Sequence, residues 1–436
     1  MNSFFRKLKI KSKTILVKFF IKLSLMLNFP QLTAFILYLS LAKVNEKGEY
    51  KVLCLRRSIF MDDVRAMAQF SGKLHYVVVG REDFKLILFH FLGKENSKKV
   101  TQYNYHTSDI GNDGKEKYYQ YVKKMFPILK KLIGFDALLY SNFCYIEGQG
   151  ISRACKELKI PIIVLFKEGM VAPGSHKTWA KKAHEGFKFT QTKLLTYSEE
   201  ILNSLLEAEI PGVSKEKSTA VGIPRMDHYF KHQDKSEKVK QIVLFSAYFY
   251  DKLSFLVKDK KEFKKITDRF DNFHKMVMGF AKNHPEIKVI IKTKVYDKFL
   301  KYVINIYEDN FKEKINNLTI TNRINPVDLI NDSQVVIGFG STTLIEALAA
   351  DKMIISFDFS DLIPDSSFDY FKEDSELVNY VKTKIDLENH ILNWQKSNRN
   401  QEVRNRFLSK YIYKPDGNSS VRTEVEIINI IKDYYS

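Results

Sequence analysis

The chain is poor in cysteine and lacks the spacings that disulfides and zinc sites require. It has 3 cysteines in 436 residues, at Cys54, Cys144 and Cys155. An odd number of cysteines without C-x-x-C or paired Cys/His spacing indicates neither a disulfide framework nor a zinc site. This usage favours a reducing compartment, and we expect a cytoplasmic protein.

Several signatures of nucleotide and metal binding are also absent. The sequence contains no GxGxxG dinucleotide fingerprint, no GxxxxGK[ST] phosphate loop and no HExxH zinc motif. No D-x-D of the kind that metal-dependent sugar transferases carry stands at a convincing strand end. We therefore expect no metal site and no bound cofactor.

Acidic residues are missing from the start of the chain. Residues 1–45 contain eight basic residues and no Asp or Glu, whereas the whole chain has 70 basic and 51 acidic residues. Apolar residues interleave with the lysines, as in helices that lie in the headgroup region of an anionic membrane. The residues predicted to contact the membrane are Arg6, Lys7, Lys9, Lys11, Lys13, Phe19 and Phe20.

A stretch without charged residues follows, from Leu23 to Ala42, and it is long enough to span a bilayer. Asn28, Pro30 and Gln31 interrupt it, so we favour monotopic or re-entrant attachment over a span. Packing of the arm on the first domain is the alternative. A signal peptide is disfavoured because no small-residue cleavage site is evident.

The most informative stretch runs from Asn331 to Asp361 and reads NDSQVVIGFGSTTLIEALAADKMIISFDFSD. An apolar run, a Gly-Phe-Gly turn, a helical pattern and a second apolar run follow one another in it. This order predicts strand, turn, helix and strand, the repeating unit of a parallel α/β sheet.

The predicted turn has the properties of a phosphate site. Gly338 and Gly340 let the backbone approach a ligand, and the helix that follows presents free N–H groups and the positive end of its dipole. Its first hydroxyls can cap the helix and also donate to phosphate oxygens. The alternative is an ordinary helix cap. The residues concerned are Gly340, Ser341, Thr342 and Thr343, with Glu346 one turn further on as an acceptor for ribose hydroxyls.

Three stretches resemble a known superfamily. From Asp328 to Ile355 the chain resembles the donor-binding half of GT-B glycosyltransferases of bacterial surface-polysaccharide assembly, which are related to CDP-glycerol glycerophosphotransferases and UDP-GlcNAc 2-epimerases. The segment from Val221 to Asp227, VGIPRMD, resembles the G-x-P-R-x-D motif that these families carry where the first domain ends. Near the C-terminus, DGNSSVR resembles the D-G-x-x-S-x-R closing segment of surface-carbohydrate relatives.

The resemblance implies an α/β protein of the GT-B type, with two Rossmann-like domains whose parallel sheets face a central cleft. The expected parts are a basic amphipathic arm (1–45), an acceptor domain (46–230), a linker (231–240), a nucleotide-donor domain (241–390) and a helical segment that packs back across the domains (391–436).

Candidate catalytic groups follow the apolar strand Ile160–Phe166, because ligands in open α/β sheets bind outside the carboxyl ends of the strands. Glu168 is the first candidate for the base that takes a proton from the acceptor hydroxyl. It would otherwise be a loop carboxylate paired with Lys167 or another lysine. His176 and His184 are secondary candidates.

Two basic residues are assigned to the donor by resemblance. Arg225 of the G-x-P-R-x-D motif would reach the donor phosphates, or it would instead fix the linker by pairing with Asp227. Lys292 ends a predicted strand where relatives have a donor-binding lysine followed by His-Pro. Thr293 and Lys294 stand here instead, so the chain departs from that pattern.

The sequence therefore predicts a metal-independent glycosyltransferase that moves a sugar from a nucleotide-sugar to a surface polysaccharide or lipid-linked glycan, at the inner face of the cell membrane. The alternatives are a CDP-polyol phosphotransferase and a non-catalytic subunit of a polysaccharide-synthesis complex. A nucleic-acid-binding protein fits the pI of about 9.4, but no RNA-binding or helix-turn-helix signature is present, and no nucleic-acid partner is expected.

Overall fold

The computed structural model of the chain describes residues 2–171, 176–231, 238–246, 259–362, 369–394 and 400–436. Of residues 2–13, 58, 59, 176, 177 and 183 it describes the backbone alone. Most of the predicted linker (231–240) and the His176 side chain lie outside the described residues. The domain boundaries given above remain predictions.

The first sheet has the strand order β1-β3-β2-β4-β5-β6-β7. Its strands pair in parallel except for β1, which runs antiparallel to β3 at one edge. The strands are β1 (Ala42–Lys43), β2 (Tyr50–Arg56), β3 (Leu74–Gly80), β4 (Ala137–Tyr140), β5 (Ile162–Phe166), β6 (Lys193–Thr196) and β7 (Ser218–Ala220).

The second sheet is entirely parallel and has the order β10-β9-β8-β11-β12-β13. Its central strand, β11, is the apolar run that precedes the Gly-Phe-Gly turn. The strands are β8 (Gln241–Phe245), β9 (Lys288–Lys292), β10 (Leu318–Thr321), β11 (Val335–Gly338), β12 (Met353–Phe357) and β13 (Asn379–Val381).

Helices cover both faces of the two sheets. They are α1 (Asn2–Met26), α2 (Pro30–Ser40), α3 (Ser58–Phe70), α4 (Arg81–Lys99), α5 (Asn112–Ile133), α6 (Ile146–Glu157), α7 (His176–Ala183), α8 (Glu199–Glu207), α9 (Asp227–Lys231), α10 (Lys260–Asn283), α11 (Asp297–Asn310), α12 (Pro326–Asp332), α13 (Thr342–Ala349), α14 (Lys384–Leu392), α15 (Gln401–Ile412) and α16 (Ser419–Tyr435). Short 3-10 helices span Pro224–Met226 and Lys372–Leu377.

Burial on both faces explains why the strands are continuously apolar. In β2, Leu53 and Leu55 belong to the core under α4 and α5, whereas Val52 and Cys54 belong to a second core on the opposite face. The second core continues into the other sheet through side chains such as Val336. Parallel strands covered on both sides lack the apolar/polar alternation of half-exposed strands.

The C-terminal helix α16 packs on α3 of the first domain. Glu424 is fully buried there and accepts hydrogen bonds from the Tyr76 hydroxyl (2.8 Å) and the Lys73 backbone N–H (2.7 Å). At its end, the Tyr435 hydroxyl donates to the Asp136 carbonyl oxygen. The last helix thus completes the core of the first domain.

The N-terminal arm is a helical hairpin. Helix α1 ends at Met26 and α2 begins at Pro30, at the interruption that the sequence contains. Thr33 lies between the Ser24 and Tyr121 hydroxyls at 2.6 Å from each, and these contacts join the two helices to α5. In the described residues, no helix combines the length and apolar character needed to cross a membrane.

One face of the hairpin is apolar and exposed. Phe19 is 59% exposed and Phe20 is 40% exposed. The predicted contacts Arg6, Lys7, Lys9, Lys11 and Lys13 belong to the same helix, but their side chains lie outside the described residues. Other exposed apolar residues of the hairpin are Ile15, Leu16, Leu23, Met26, Leu27, Phe29, Phe35, Tyr38 and Leu39.

Candidate functional site

The Gly-Phe-Gly turn leads from β11 into the N-terminus of α13. Gly340 has a φ of +51°, a left-handed conformation that favours glycine. The Ser341 hydroxyl caps the helix by accepting from the Thr343 N–H (3.3 Å), and it lies 2.7 Å from the Thr343 hydroxyl. Thr342 is the first helical residue. Four of the predicted donor-site residues therefore share one helix end, at the carboxyl edge of the sheet.

Glu346 lies on the same helix and contacts the first domain. The Tyr229 hydroxyl donates to its Oε2 at 2.7 Å. Burial raises the pKa of Glu346, while Arg225 and the Tyr229 hydrogen bond oppose part of the rise. Its other carboxylate oxygen accepts no hydrogen bond from the residues that the structure describes. That oxygen remains available to a ligand hydroxyl.

Arg225 pairs with Asp63, a residue that the sequence did not suggest. The Arg225 Nη1 lies 3.1 Å and 3.2 Å from the two carboxylate oxygens of Asp63 and 3.0 Å from the Tyr197 hydroxyl, which itself donates to Asp63 at 2.5 Å. Burial lowers the pKa of Arg225, but Asp63, Tyr197 and Glu346 together outweigh burial, so the pKa lies above its ordinary value. Asp63 is fully buried and the Arg225 side chain is 12% exposed.

The predicted alternative, in which Arg225 pairs with Asp227, does not match the observed contacts. Asp227 instead accepts the backbone N–H groups of Ser419 (3.0 Å) and Ser420 (2.7 Å). Gly222 has a φ of +90°, and a Cβ there would meet the Ser419 hydroxyl. The G-x-P-R-x-D segment and the C-terminal D-G-x-x-S-x-R segment therefore pack against each other, which explains a glycine and an aspartate at these positions.

Lys292 lies apart from the other predicted donor residues. It ends β9, which β8 separates from β11. Its Nζ donates to the carbonyl oxygens of Thr293 (2.6 Å) and Asn322 (3.3 Å), and burial lowers its pKa. The ammonium group is thus engaged by the loops at the ends of β9 and β10.

The loop after β5 carries Glu168 at the carboxyl end of the first sheet. Glu168 forms an ion pair with Lys167, as one reading of the sequence anticipated, and its side chain is 41% exposed. The next residue, Gly169, packs so closely on Tyr197 that a Cβ would lie 2.8 Å from the ring. The Tyr370 hydroxyl from the second domain donates to the Met170 carbonyl oxygen (3.2 Å). This loop therefore contacts both the Arg225 cluster and the second domain.

Glu168 lines a cavity of about 440 Å³ in the first domain. Most of the cavity wall comes from the segments that follow β2, β3 and β4. The lining residues are Arg57, Arg81, Lys85, Gln102, Tyr103, Asn142, Cys144, Tyr145, Ile146, Glu147, Glu168, Trp179 and His184.

His184, the secondary candidate, is buried at the edge of the cavity. Its ring stacks on Phe143 at 5.1 Å, and its Nδ1 lies 2.8 Å from the Ala180 carbonyl oxygen. Burial lowers the pKa of His184, whereas the Ala180 hydrogen bond and the nearby Glu168 raise it. This ring is held by packing rather than by a carboxylate partner.

Glu147 is a further cavity residue and lies in the first turn of α6, which begins at Ile146. The sequence motifs did not indicate it. Glu147 is almost fully buried, and its Oε1 lies 3.3 Å from the Arg81 Nε. Burial raises the pKa of Glu147, and the Arg81 charge lowers it in part.

Comparisons with known proteins bear on the fold. No protein-family model matches the sequence, and a search of curated proteins finds no match. A solved UDP-N-acetylglucosamine 2-epimerase matches with a TM-score of 0.50 and 11% identity, over 88% of this chain and 96% of that chain. A Listeria monocytogenes protein described as an enzyme of the same kind matches with a TM-score of 0.50 and 9% identity, over 88% and 98%.

The chain has the GT-B fold. This confirms the fold class that the motifs suggested, with its two parallel-sheet domains. A trehalose-6-phosphate synthase, OtsA, also matches, with a TM-score of 0.48 and 10% identity over 88% of this chain and 99% of that one. At 9% and 11% identity, the two epimerase structures establish the fold alone. In this GT-B chain the capped end of α13 and the Glu168 loop belong to different domains, with Arg225 and Tyr197 between them.

Proposed function

We propose that this protein is a transferase that uses a nucleotide-sugar. The α13 end of the second domain would bind the nucleotide, and the Glu168 cavity of the first domain would bind the acceptor. The observation that carries the proposal is the set of contacts joining the two places: Gly169 packs on Tyr197, Tyr197 bonds Arg225, and Arg225 lies beside Glu346. The GT-B fold supports it, since the two matched epimerases are by name enzymes of UDP-N-acetylglucosamine.

The donor half of the proposal rests on hydrogen-bond donors at the helix end. Backbone N–H groups of the first turn and the positive end of the dipole would stabilise the leaving nucleotide phosphate. The hydroxyls of Ser341, Thr342 and Thr343 would donate to its oxygens, and the free oxygen of Glu346 would accept from ribose. Arg225 would contribute positive charge from the other domain. Lys292 would support the donor site by holding the loops that follow β9 and β10. In this proposal no metal is required.

The acceptor half assigns the proton transfer to Glu168. As the acceptor oxygen attacks the anomeric carbon, its proton passes to the Glu168 carboxylate, and the bond from that carbon to the nucleotide phosphate breaks. The leaving phosphate oxygen retains the electron pair of the broken bond. The ion pair with Lys167 holds the Glu168 carboxylate in place on the loop that lines the cavity.

We also propose that the protein acts at the inner face of the cell membrane, on a surface-polysaccharide or lipid-linked acceptor. The support is the exposed apolar face of the α1–α2 hairpin together with the absence of acidic residues from positions 1–45. An anionic lipid surface offers apolar burial and complementary charge to such a segment.

A thermal-shift panel of UDP, CMP, CDP, GDP and dTDP tests the donor site. One nucleotide should stabilise the wild type, by about 2.7 kcal/mol at a concentration 100 times its Kd. Ser341→Ala and Glu346→Gln should abolish this shift. Thr383→Ala is the matched control, because Thr383 caps α14 through the same kind of hydrogen bond. Both cap variants should lose about 1 kcal/mol of stability, but only Ser341→Ala should lose nucleotide binding.

The responding nucleotide also separates the alternatives. A response to CDP alone points to polyol phosphate transfer. Silence from all five nucleotides at millimolar concentration, on folded protein, contradicts the proposal and favours a non-catalytic subunit. For any responding nucleotide-sugar, Glu168→Gln should retain binding but lose transfer to acceptor.

A further inference from the structure

The cavity of the first domain has three cationic side chains on one wall. Arg57 directly follows β2, Arg81 begins α4 directly after β3, and Lys85 lies one turn further along the same face of α4. The Arg57 and Arg81 guanidinium groups both lie over the Tyr145 ring, at 5.1 Å and 4.2 Å from its centroid. Two like charges therefore contact the same ring of the cavity wall.

The carboxylates around the cavity neutralise only part of this wall. Arg81 is paired with Glu147 (3.3 Å) and with Glu82 (3.0 Å), and Glu168 is paired with Lys167. Across the described ranges of the chain, Arg57 and Lys85 form no ion pair. Among the described residues Arg57 and Lys85 thus lack an ion-pair partner, while Glu147 acts on Lys85 electrostatically and the Lys85 ammonium lies 5.3 Å from the Phe89 ring centroid.

Such a wall fits a phosphate-bearing ligand better than a neutral sugar. Arginine matches phosphate oxygens with a planar pair of donors, lysine adds a point charge, and charge-assisted hydrogen bonds are stronger than neutral ones. An anion in the cavity would also offset the repulsion between these cations. The cavity volume of about 440 Å³ lies within the ~300–1,000 Å³ that is usual for small-ligand pockets.

Helix α4 also connects this wall to the hairpin. It packs on α1, and Asp83, in its first turn, interacts electrostatically with Lys18 of α1. The cationic wall is therefore one helix away from the surface assigned to the membrane. A phosphate close to a lipid headgroup layer would lie on this side of the cavity, and Glu168 lies in the same cavity.

We propose that Arg57, Arg81 and Lys85 bind a phosphate or diphosphate group of the acceptor, so that the acceptor is a phosphorylated molecule and not a neutral glycan end. The identification of the ligand as the acceptor rests on the proposed function. The presence of an anion site in this cavity does not depend on that function. Arg57 and Lys85 determine specificity by binding the phosphate while Glu168 faces the reacting hydroxyl.

Calorimetric titration of the full chain with inorganic pyrophosphate tests the site. Arg57→Gln and Lys85→Gln should each weaken binding about tenfold, as expected for the loss of one charge-assisted hydrogen bond. Lys98→Gln is the matched control, because Lys98 is an exposed lysine at the far end of α4. The Kd of this variant for pyrophosphate should equal that of the wild type. Arg57 is exposed and Lys85 is half-buried, so both variants are expected to fold.

Pyrophosphate could also bind at the nucleotide end of α13, so Ser341→Ala is titrated in parallel. The same Kd for the wild type, Arg57→Gln and Lys85→Gln, or loss of pyrophosphate binding in Ser341→Ala alone, overturns the proposal. Failure of the proposed function has a different result: no nucleotide raises the thermal stability of the protein, although pyrophosphate still binds at the cationic wall.

A second titrant identifies the source of the phosphate. Farnesyl diphosphate binding more tightly than pyrophosphate, with the same dependence on Arg57 and Lys85, supports a lipid-linked acceptor. Equal Kd values for the two titrants, with that dependence kept, support a soluble phosphorylated acceptor.

Discussion

At the scale of single residues, Asp63 is the most consequential side chain outside the predicted motifs. It accepts hydrogen bonds from the Arg225 guanidinium, the Arg225 backbone and the Tyr197 hydroxyl. Asp63→Ala leaves a buried guanidinium unpaired, which costs about 3–5 kcal/mol. We expect this loss in the free energy of unfolding measured by urea denaturation.

Its neighbour Asp62 is the control for Asp63. Asp62 pairs with Arg65 on the exposed surface of α3, and such pairs contribute about 0–1 kcal/mol. Asp62→Ala should therefore be nearly neutral. If Asp63→Ala lowers the free energy of unfolding as little as Asp62→Ala does, the Asp63–Arg225 pair adds little to stability.

His274 is a second residue with a measurable consequence. Its Nδ1 lies 2.8 Å from the Phe270 carbonyl oxygen, so the neutral ring carries its proton there, and its Nε2 accepts from the Ser246 hydroxyl at 2.8 Å. Burial lowers the pKa of His274, and the Phe270 hydrogen bond raises it in part. The unfolded chain therefore binds a proton at a higher pH than the folded chain does.

The sign of the pH effect follows from this difference. Below the ordinary histidine pKa of about 6.5, unfolding takes up a proton, so stability falls by up to about 1.4 kcal/mol per pH unit until the folded pKa is reached. Urea denaturation at pH 7 and pH 5 should show this loss for the wild type. His274→Gln should show a smaller difference between the two pH values. An undiminished difference would assign the acid sensitivity to other groups.

At the scale of elements, the hairpin α1–α2 makes a prediction about membranes. Burying a phenylalanine side chain contributes about 1.5–3 kcal/mol, so Phe19→Ser with Phe20→Ser should weaken binding to phosphatidylglycerol vesicles at least tenfold. Ile385→Ser is the control, because Ile385 is also an exposed apolar side chain (69%) but lies on α14. Vesicle sedimentation measures the effect. Equal binding by the wild type, the double variant and the control would contradict membrane binding by the hairpin.

Elements also show how much of the fold was predictable. The two apolar runs of the stretch from Asn331 to Asp361 are strands as predicted, because segments such as Val335–Gly338 are buried on both faces and are therefore continuously apolar in sequence. The strands Ala42–Lys43 and Asn379–Val381 were missed. They are short edge strands whose pairing depends on the finished sheet.

Helix α6 is difficult to predict from the sequence for a different reason. Gly148 and Gly150 disfavour a helix locally, but a Cβ at either position would press on the rings of Tyr140 and Tyr118. These two glycines allow α6 to pack closely on the tyrosine rings. Helix propensities do not include such tertiary contacts. The same limit hid Glu147 and the Asp63–Arg225 pair, whose partners are distant in sequence. The positions Arg57 and Arg81, directly after two strands, were a usable signal.

At the scale of the whole molecule, the position of α16 predicts coupling between the end of the chain and the first domain. Glu424→Gln replaces one acceptor oxygen of a buried carboxylate by an amide that faces the donors Tyr76 and Lys73, at a cost of about 1–3 kcal/mol. Glu426→Gln, on the same helix, should be neutral. Hydrogen exchange of the β3 amides should increase in the first variant alone. Unchanged exchange would mean that α16 is only loosely attached.

The same attachment has a consequence for biosynthesis. The strands β2 and β3 and the helix α3 emerge early from the ribosome. Glu424, which accepts hydrogen bonds from the Tyr76 hydroxyl and the Lys73 backbone N–H, is translated 348 residues after Tyr76. Until that residue emerges, the nascent first domain has an uncovered apolar face and two unsatisfied donors. Its folding is therefore completed only after the second domain has been synthesised, and a nascent chain of this kind is a natural client for chaperones.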